Sequence, residues 1–114
     1  MKIDQPTPAL PVRSVQAAQE YYRDRLGFNI GWHHEVGRIG AVSHGQCALF
    51  LAETDGDIHP GTFWIFTEDV DAAHAELTAR GAEIISPIAD MPWGLRQFTL
   101  RDLHGHIFHF HHDL

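Results

Sequence analysis

A chain of 114 residues with 44% hydrophobic side chains has enough apolar content for one globular domain, residues 1–114, and too little for two. Fifteen acidic residues against eight basic ones leave a formal charge of −7, which repels a polyphosphate backbone and excludes nucleic acid as a direct partner. The lone Cys47 permits no intramolecular disulfide, and there is neither a charged leader before an apolar run nor an apolar stretch of the ~20 residues a membrane span needs; the expectation is a cytoplasmic protein with no membrane partner.

In chain order, Ala9-Leu10-Pro11-Val12 is a short apolar strand. Ser14 then opens a helix whose apolar residues Val15, Ala18, Tyr22 and Leu26 recur at helical spacing and stop at Gly27. The serine caps the first turn, and the glycine takes the left-handed position past the end. Strands follow at 29–33, 38–43 and 46–52, parted by turns at Gly37 and His44-Gly45. Residues 53–61 read as a linker. Phe63-Trp64-Ile65-Phe66 is the next strand, and Asp69 opens a second helix through Val70, Ala73 and Leu77 to Gly81. The last strands are predicted at 83–88, 95–101 and 106–111, with turns at 90–92 and His104-Gly105.

The pattern is one unit written twice. Val15 to Val70 is a displacement of 55 positions, Gly27 to Gly81 one of 54, and Gly45 to Gly105 one of 60. The order is β-α-β-β-β in each of two units, about 5–54 and 60–114. A single unit leaves one sheet face bare, so two must pack together or pair with another chain. The fold class expected is α+β, a curved mixed sheet around a cleft with helices outside.

A doubled unit whose first helix ends in Leu26-Gly27-Phe28 resembles the vicinal oxygen chelate superfamily, which includes glyoxalase I, extradiol dioxygenases, fosfomycin-resistance enzymes and bleomycin-resistance proteins. Tyr22 to Phe28 and the run Pro92-Trp93-Gly94, Arg96-Gln97-Phe98, Arg101-Asp102, Gly105 and His109-Phe110 look most like the bleomycin-resistance branch. That resemblance implies a homodimer with clefts built by both chains, binding and sequestering a planar cationic antibiotic of the bleomycin type or a similar aromatic molecule without catalysis. A metal-dependent lyase, isomerase or dioxygenase of the same superfamily, or a binder of an endogenous metabolite, are the alternatives.

Metal-dependent members of the resembled family hold one divalent ion with side chains from four strands, usually His and Glu. The internal repeat places the first-strand positions at Thr7 and Thr62, and the last-strand positions at His109 and, 60 residues earlier, Leu49, with Leu51 the alternative. Of these only His109 is a metal ligand. His111 lies two residues on and shares its face, so the pair are weak metal candidates; no cofactor is expected.

Counting from Thr62, Trp64 and Phe66 face one side, taken as the cleft side. Trp93 stands beside Gly94 at a turn, and Trp32 on a strand bordering the cleft; core filling is the competing role for the tryptophans. The ligand-binding set expected is Trp32, Trp64, Phe66, Trp93, Arg96 and His109. Arg101 is read as a turn-stabilising partner of Asp102, and Glu53, Asp55 and Asp57 as possible charges for a cationic tail. Cys47 sits in an apolar strand with no activating partner in the sequence, and there is no Gly-rich phosphate loop or nucleophile elbow.

Overall fold

The computed structural model describes residues 1–114. The elements are β1 (Ala9–Val12), α1 (Val15–Leu26), β2 (Asn29–His34), β3 (Ile39–His44), β4 (Cys47–Glu53), β5 (Thr62–Phe66), α2 (Val70–Ala79), β6 (Glu83–Asp90), β7 (Leu95–Arg101) and β8 (Ile107–Asp113). The two β-α-β-β-β units are thus present. Each forms its own mixed four-stranded sheet, ordered β1-β4-β3-β2 in the first half and β5-β8-β7-β6 in the second. No helix is long and apolar enough to cross a membrane.

The helices start where the sequence places their caps. Ser14 Oγ accepts the Ala17 N–H and Asp69 Oδ1 accepts the Ala72 N–H, each contact contributing about 1 kcal/mol. Gly27 closes α1 at a φ of 73°, in the left-handed region. The inner face of α1, Val15, Ala18, Tyr22 and Leu26, is buried against the first sheet, as Val70 and Leu77 of α2 are against the second.

Both helices lie on the same side of the molecule. Tyr22 of α1 meets Phe108 of β8 edge-on at 6.3 Å, on the face of the second sheet that also carries Phe98, against which His74 of α2 packs at 5.0 Å. One core therefore serves both halves, and the shortest dimension of the molecule, 24 Å, is about a helix layer upon a sheet layer. The opposite faces of the two sheets carry no layer. β2 is exposed along its whole length, and Trp32, Trp64, Phe66 and Trp93 are 50%, 52%, 60% and 59% exposed.

The halves are joined by the turn between β7 and β8. Asp102, 3% exposed, accepts the Tyr22 hydroxyl at 2.5 Å and the backbone N–H groups of His104 and His106 at 2.9 Å each. Burial and the adjacent Asp102 push the Tyr22 phenol well above its ordinary value, so the proton stays on the tyrosine. His106 is fully buried; its Nδ1 accepts the Gly61 N–H and its Nε2 donates to the Pro11 carbonyl. His104 Nε2 accepts the Arg13 N–H.

This last bond makes the seam sensitive to acid, because a protonated ring has no lone pair to accept with. Burial, opposed by Asp102 and aided by His106 and Arg13, holds His104 below the ordinary imidazole value of 6.5. A depressed base means that the unfolded chain binds the additional proton first. Stability is complete above about pH 6.5 and falls as the pH drops from there towards the lower folded value. The melting temperature is expected to decline between pH 7.5 and 5, with a smaller decline in His104→Gln, whose amide oxygen accepts the same N–H without titrating; a parallel decline in the variant would remove His104 from the effect.

The pairing registers correct one sequence alignment. β1 runs parallel to β4 with Ala9 opposite Phe50, and β5 parallel to β8 with Trp64 opposite His109. The last strands therefore repeat at 59 residues, not 60, and the counterpart of His109 is Phe50. Leu49 and Leu51, 2% and 0% exposed, face the helices. A one-residue slip moves a side chain to the other face of a sheet, which is the whole difference here.

Candidate functional site: an aromatic groove on the second sheet

Partners across a ladder share a face, so the bare side of the second sheet presents Trp64 and Phe66 on β5, His109 and His111 on β8, Gln97 and Thr99 on β7, and Ser86 on β6. The β6–β7 turn adds Met91 and Trp93. It is closed by a bond from the Gly94 N–H to the Met91 carbonyl, with Gly94 at a φ of 90°, where a side chain would be strained. Trp64, Ser86, Met91, Trp93, Gln97, Thr99 and His109 together line an open groove of about 560 Å³. That volume is in the range of small-molecule sites.

The groove floor is organised by paired contacts. Trp64 lies over the His109 ring at 4.2 Å between centroids and 32° between planes, and His109 Nδ1 is 2.7 Å from Thr99 Oγ1. The indole N–H of Trp93 donates to Gln97 Oε1 at 3.0 Å, which fixes the ring and leaves Gln97 Nε2 with no partner in the chain. Burial, followed by the neighbouring His111, holds His109 below the ordinary imidazole value and hence neutral at pH 7. His111 stands edge-on to Trp64 at 5.9 Å and to Phe66 at 6.0 Å, and its Nδ1 is buried without a hydrogen-bond partner.

Of the residues singled out in the sequence, Trp64, Trp93 and His109 meet in this groove, and Phe66 flanks it through His111. Trp32 stands on the other sheet against Phe50, at 5.5 Å. Arg96 is not a groove residue. It shares the helix-facing side of β7 with Phe98 and Leu100 and forms ion pairs with Asp71 of α2 and Asp90 of β6, both at 2.8 Å. Arg101 likewise does not bind Asp102; it pairs with Glu83 across the β6–β7 ladder, while Asp102 is taken by Tyr22 and backbone N–H groups.

Two of the three carboxylates offered to a cationic tail, Glu53 and Asp55, are committed elsewhere. Glu53 accepts the Val15 N–H and pairs with Arg38, and Asp55 grips the same guanidinium at 2.7 and 3.0 Å, so that Arg38 holds both acids below their ordinary range. Gln97, Thr99, Ser86 and Met91 were not among the expected site residues. For Gln97 and Thr99 the signal was present, since they alternate with the apolar Phe98 and Leu100; Ser86 lies beside β-bulges that no periodicity reveals.

The donors present do not fit the divalent ion of the metal-dependent relatives. The four equivalent positions are Thr7, Phe50, Thr62 and His109, with a single good ligand among them, and no group of three or more His, Cys, Asp or Glu side chains is arranged so that it could hold a metal ion. Cys47 is half-buried, and burial pushes its thiol up, away from the reactive thiolate. The arrangement offers flat stacking surfaces and a few uncharged polar groups, which suits binding.

No curated protein matches the sequence. Among solved structures, the chain is similar to TioX from Micromonospora sp. ML1, with a TM-score of 0.83, 26% identity and coverage of 97% of this chain and 100% of that one. It is similar to the bleomycin-binding protein from bleomycin-producing Streptomyces verticillus complexed with copper(II)-bleomycin, with a TM-score of 0.77, 26% identity and 96% coverage of each chain. A third similar structure, a superfamily member from Sphaerobacter thermophilus, has a TM-score of 0.79 and 26% identity over 96% of this chain and 97% of that one. Residues 2–110 match the family model for the Glyoxalase/Bleomycin resistance protein/Dioxygenase superfamily, and the chain, with its doubled β-α-β-β-β fold, belongs to that superfamily.

Proposed function

We propose that the protein binds and sequesters a planar aromatic small molecule without transforming it, in clefts that two copies of the chain close by bringing their bare sheet faces together. The observation that carries this reading is the open groove of Trp64, Trp93 and His109 set in a larger unlayered aromatic face. Exposed apolar patches of such extent are uncommon on monomers and mark interaction surfaces. Trp32 and Phe50 on the first sheet supply a second aromatic wall for the same cleft in the paired molecule. The similar bleomycin-binding structure supports the ligand class, and resistance to such a drug by sequestration is the corresponding biological role.

The test is a tryptophan-fluorescence titration with metal-free and copper-loaded bleomycin, whose bithiazole is flat. Saturable quenching near one drug per chain is expected, and Trp93→Ala is expected to weaken binding about tenfold, because stacking on an indole face contributes ~0.5–1.5 kcal/mol beyond area burial. An unchanged dissociation constant in Trp93→Ala would remove Trp93 from the site; no quenching in the parent would remove this drug class. Sedimentation should give twice the 12.9 kDa chain mass, and a monomer at concentrations where ligand binds would overturn the shared cleft.

A further inference from the structure

We infer that the groove, on the binding reading above, selects an uncharged planar heteroaromatic with a hydrogen-bond acceptor at its edge, and discriminates against a cation of the same shape, with Gln97 the residue that sets this choice. None of the side chains lining the groove is a carboxylate. By register, the acids on this face of the second sheet stand at its two ends: Glu83, already paired with Arg101 at the β6–β7 end, and Asp113 opposite Leu95. A cation entering the groove leaves water and meets no opposite charge, which is costly; a neutral ring does not incur that loss.

Gln97 gives the groove its polarity. Its Oε1 is occupied by the Trp93 indole N–H, so the amide is held in one orientation and presents Nε2, a pure donor, with no partner in the chain. Because the same amide positions Trp93, a ligand that stacks on the indole has its edge beside that donor. A ring nitrogen or carbonyl oxygen accepts there; a quaternised ring nitrogen does not. The neighbouring rings His109 and His111 supply no carboxylate to offset a bound cation.

Acridine and N-methylacridinium test this directly. They share one tricyclic shape, and at pH 8 the first is neutral with a ring nitrogen acceptor while the second is a permanent cation without one. Isothermal titration calorimetry of the parent protein is expected to show acridine bound about tenfold or more tightly than N-methylacridinium, the discrimination typical of one directed hydrogen bond. Gln97→Glu keeps the acceptor for the Trp93 indole and replaces the donor by a carboxylate, so the order of the two probes should reverse. N-methylacridinium binding the parent as tightly as acridine would overturn the inference while leaving the sequestration reading in place. Failure of both probes to bind the parent would remove the planar-ligand reading and the inference with it. The comparison in the parent decides the sign even if Gln97→Glu folds poorly.

Discussion

Asp102→Ala should destabilise the protein by about 3–5 kcal/mol, among the largest losses available to a single substitution in this chain. The carboxylate is nearly inaccessible to water and accepts three hydrogen bonds, from the Tyr22 hydroxyl and from the His104 and His106 amides. Alanine leaves all three donors in place and removes what they bind. Tyr22 has 0% of its surface exposed, so its hydroxyl has no water to turn to. Removing one partner of a buried contact costs more than the contact itself contributes, because the orphaned group keeps its desolvation penalty. Tyr22→Phe deletes a donor and leaves the carboxylate two N–H partners, so its cost should be nearer 1–2 kcal/mol. In the Asp102→Ala background the same Tyr22→Phe change should cost little, since the hydroxyl is already unpartnered there. Urea denaturation of the two single variants and the double variant measures all three quantities, and additive losses would show that Tyr22 and Asp102 do not act as a pair.

This contact also marks the boundary of what the sequence makes legible. Each half can be read locally: the stripe of Val15, Ala18, Tyr22 and Leu26, the caps at Ser14 and Asp69, and the glycine turns are all periodic or short-range signals, and they locate every element to within a few residues. The repeat then yields the architecture, because a sheet with one bare face requires a second unit. Joining the halves is different. Tyr22 and Asp102 are 80 residues apart, and nothing in their surroundings announces the pairing, so Asp102 reads as a turn residue beside an arginine.

The site was legible in part for the same reason. Trp64, Phe66 and His109 follow from alternation along strands, and they share a face as alternation requires. Arg96 went to the wrong side although its parity with Phe98 and Leu100 points to the helix; its function is decided by Asp71, which only the packing of α2 brings within reach. The metal positions show how fragile alternation is across a turn. An error of one residue in the β4–β8 displacement exchanged Phe50 for Leu49 and put a core residue in the cleft. The chemical conclusion was insensitive to the slip, since neither phenylalanine nor leucine ligates a metal.

His106→Leu should cost about 2–4 kcal/mol, although leucine fills a similar volume and is the more hydrophobic residue. The ring is fully buried and joins three segments: the Asp102 turn that bears it, Gly61 just before β5, and Pro11 in β1 of the other half. A carbonyl only accepts and an amide N–H only donates, so the two bonds demand a neutral ring carrying its proton on Nε2. Leucine satisfies neither partner. His106→Gln offers both an acceptor and a donor on a shorter arm and should recover part of the loss, which a purely steric role for the ring would not allow. Because the His106 amide is itself held by Asp102, the losses from His106→Leu and Asp102→Ala should fall short of additivity when combined. Amide hydrogen exchange provides the local measurement: the Gly61 N–H, protected through His106 Nδ1 in the parent, should exchange much faster in His106→Leu, and unchanged protection there would place its partner elsewhere.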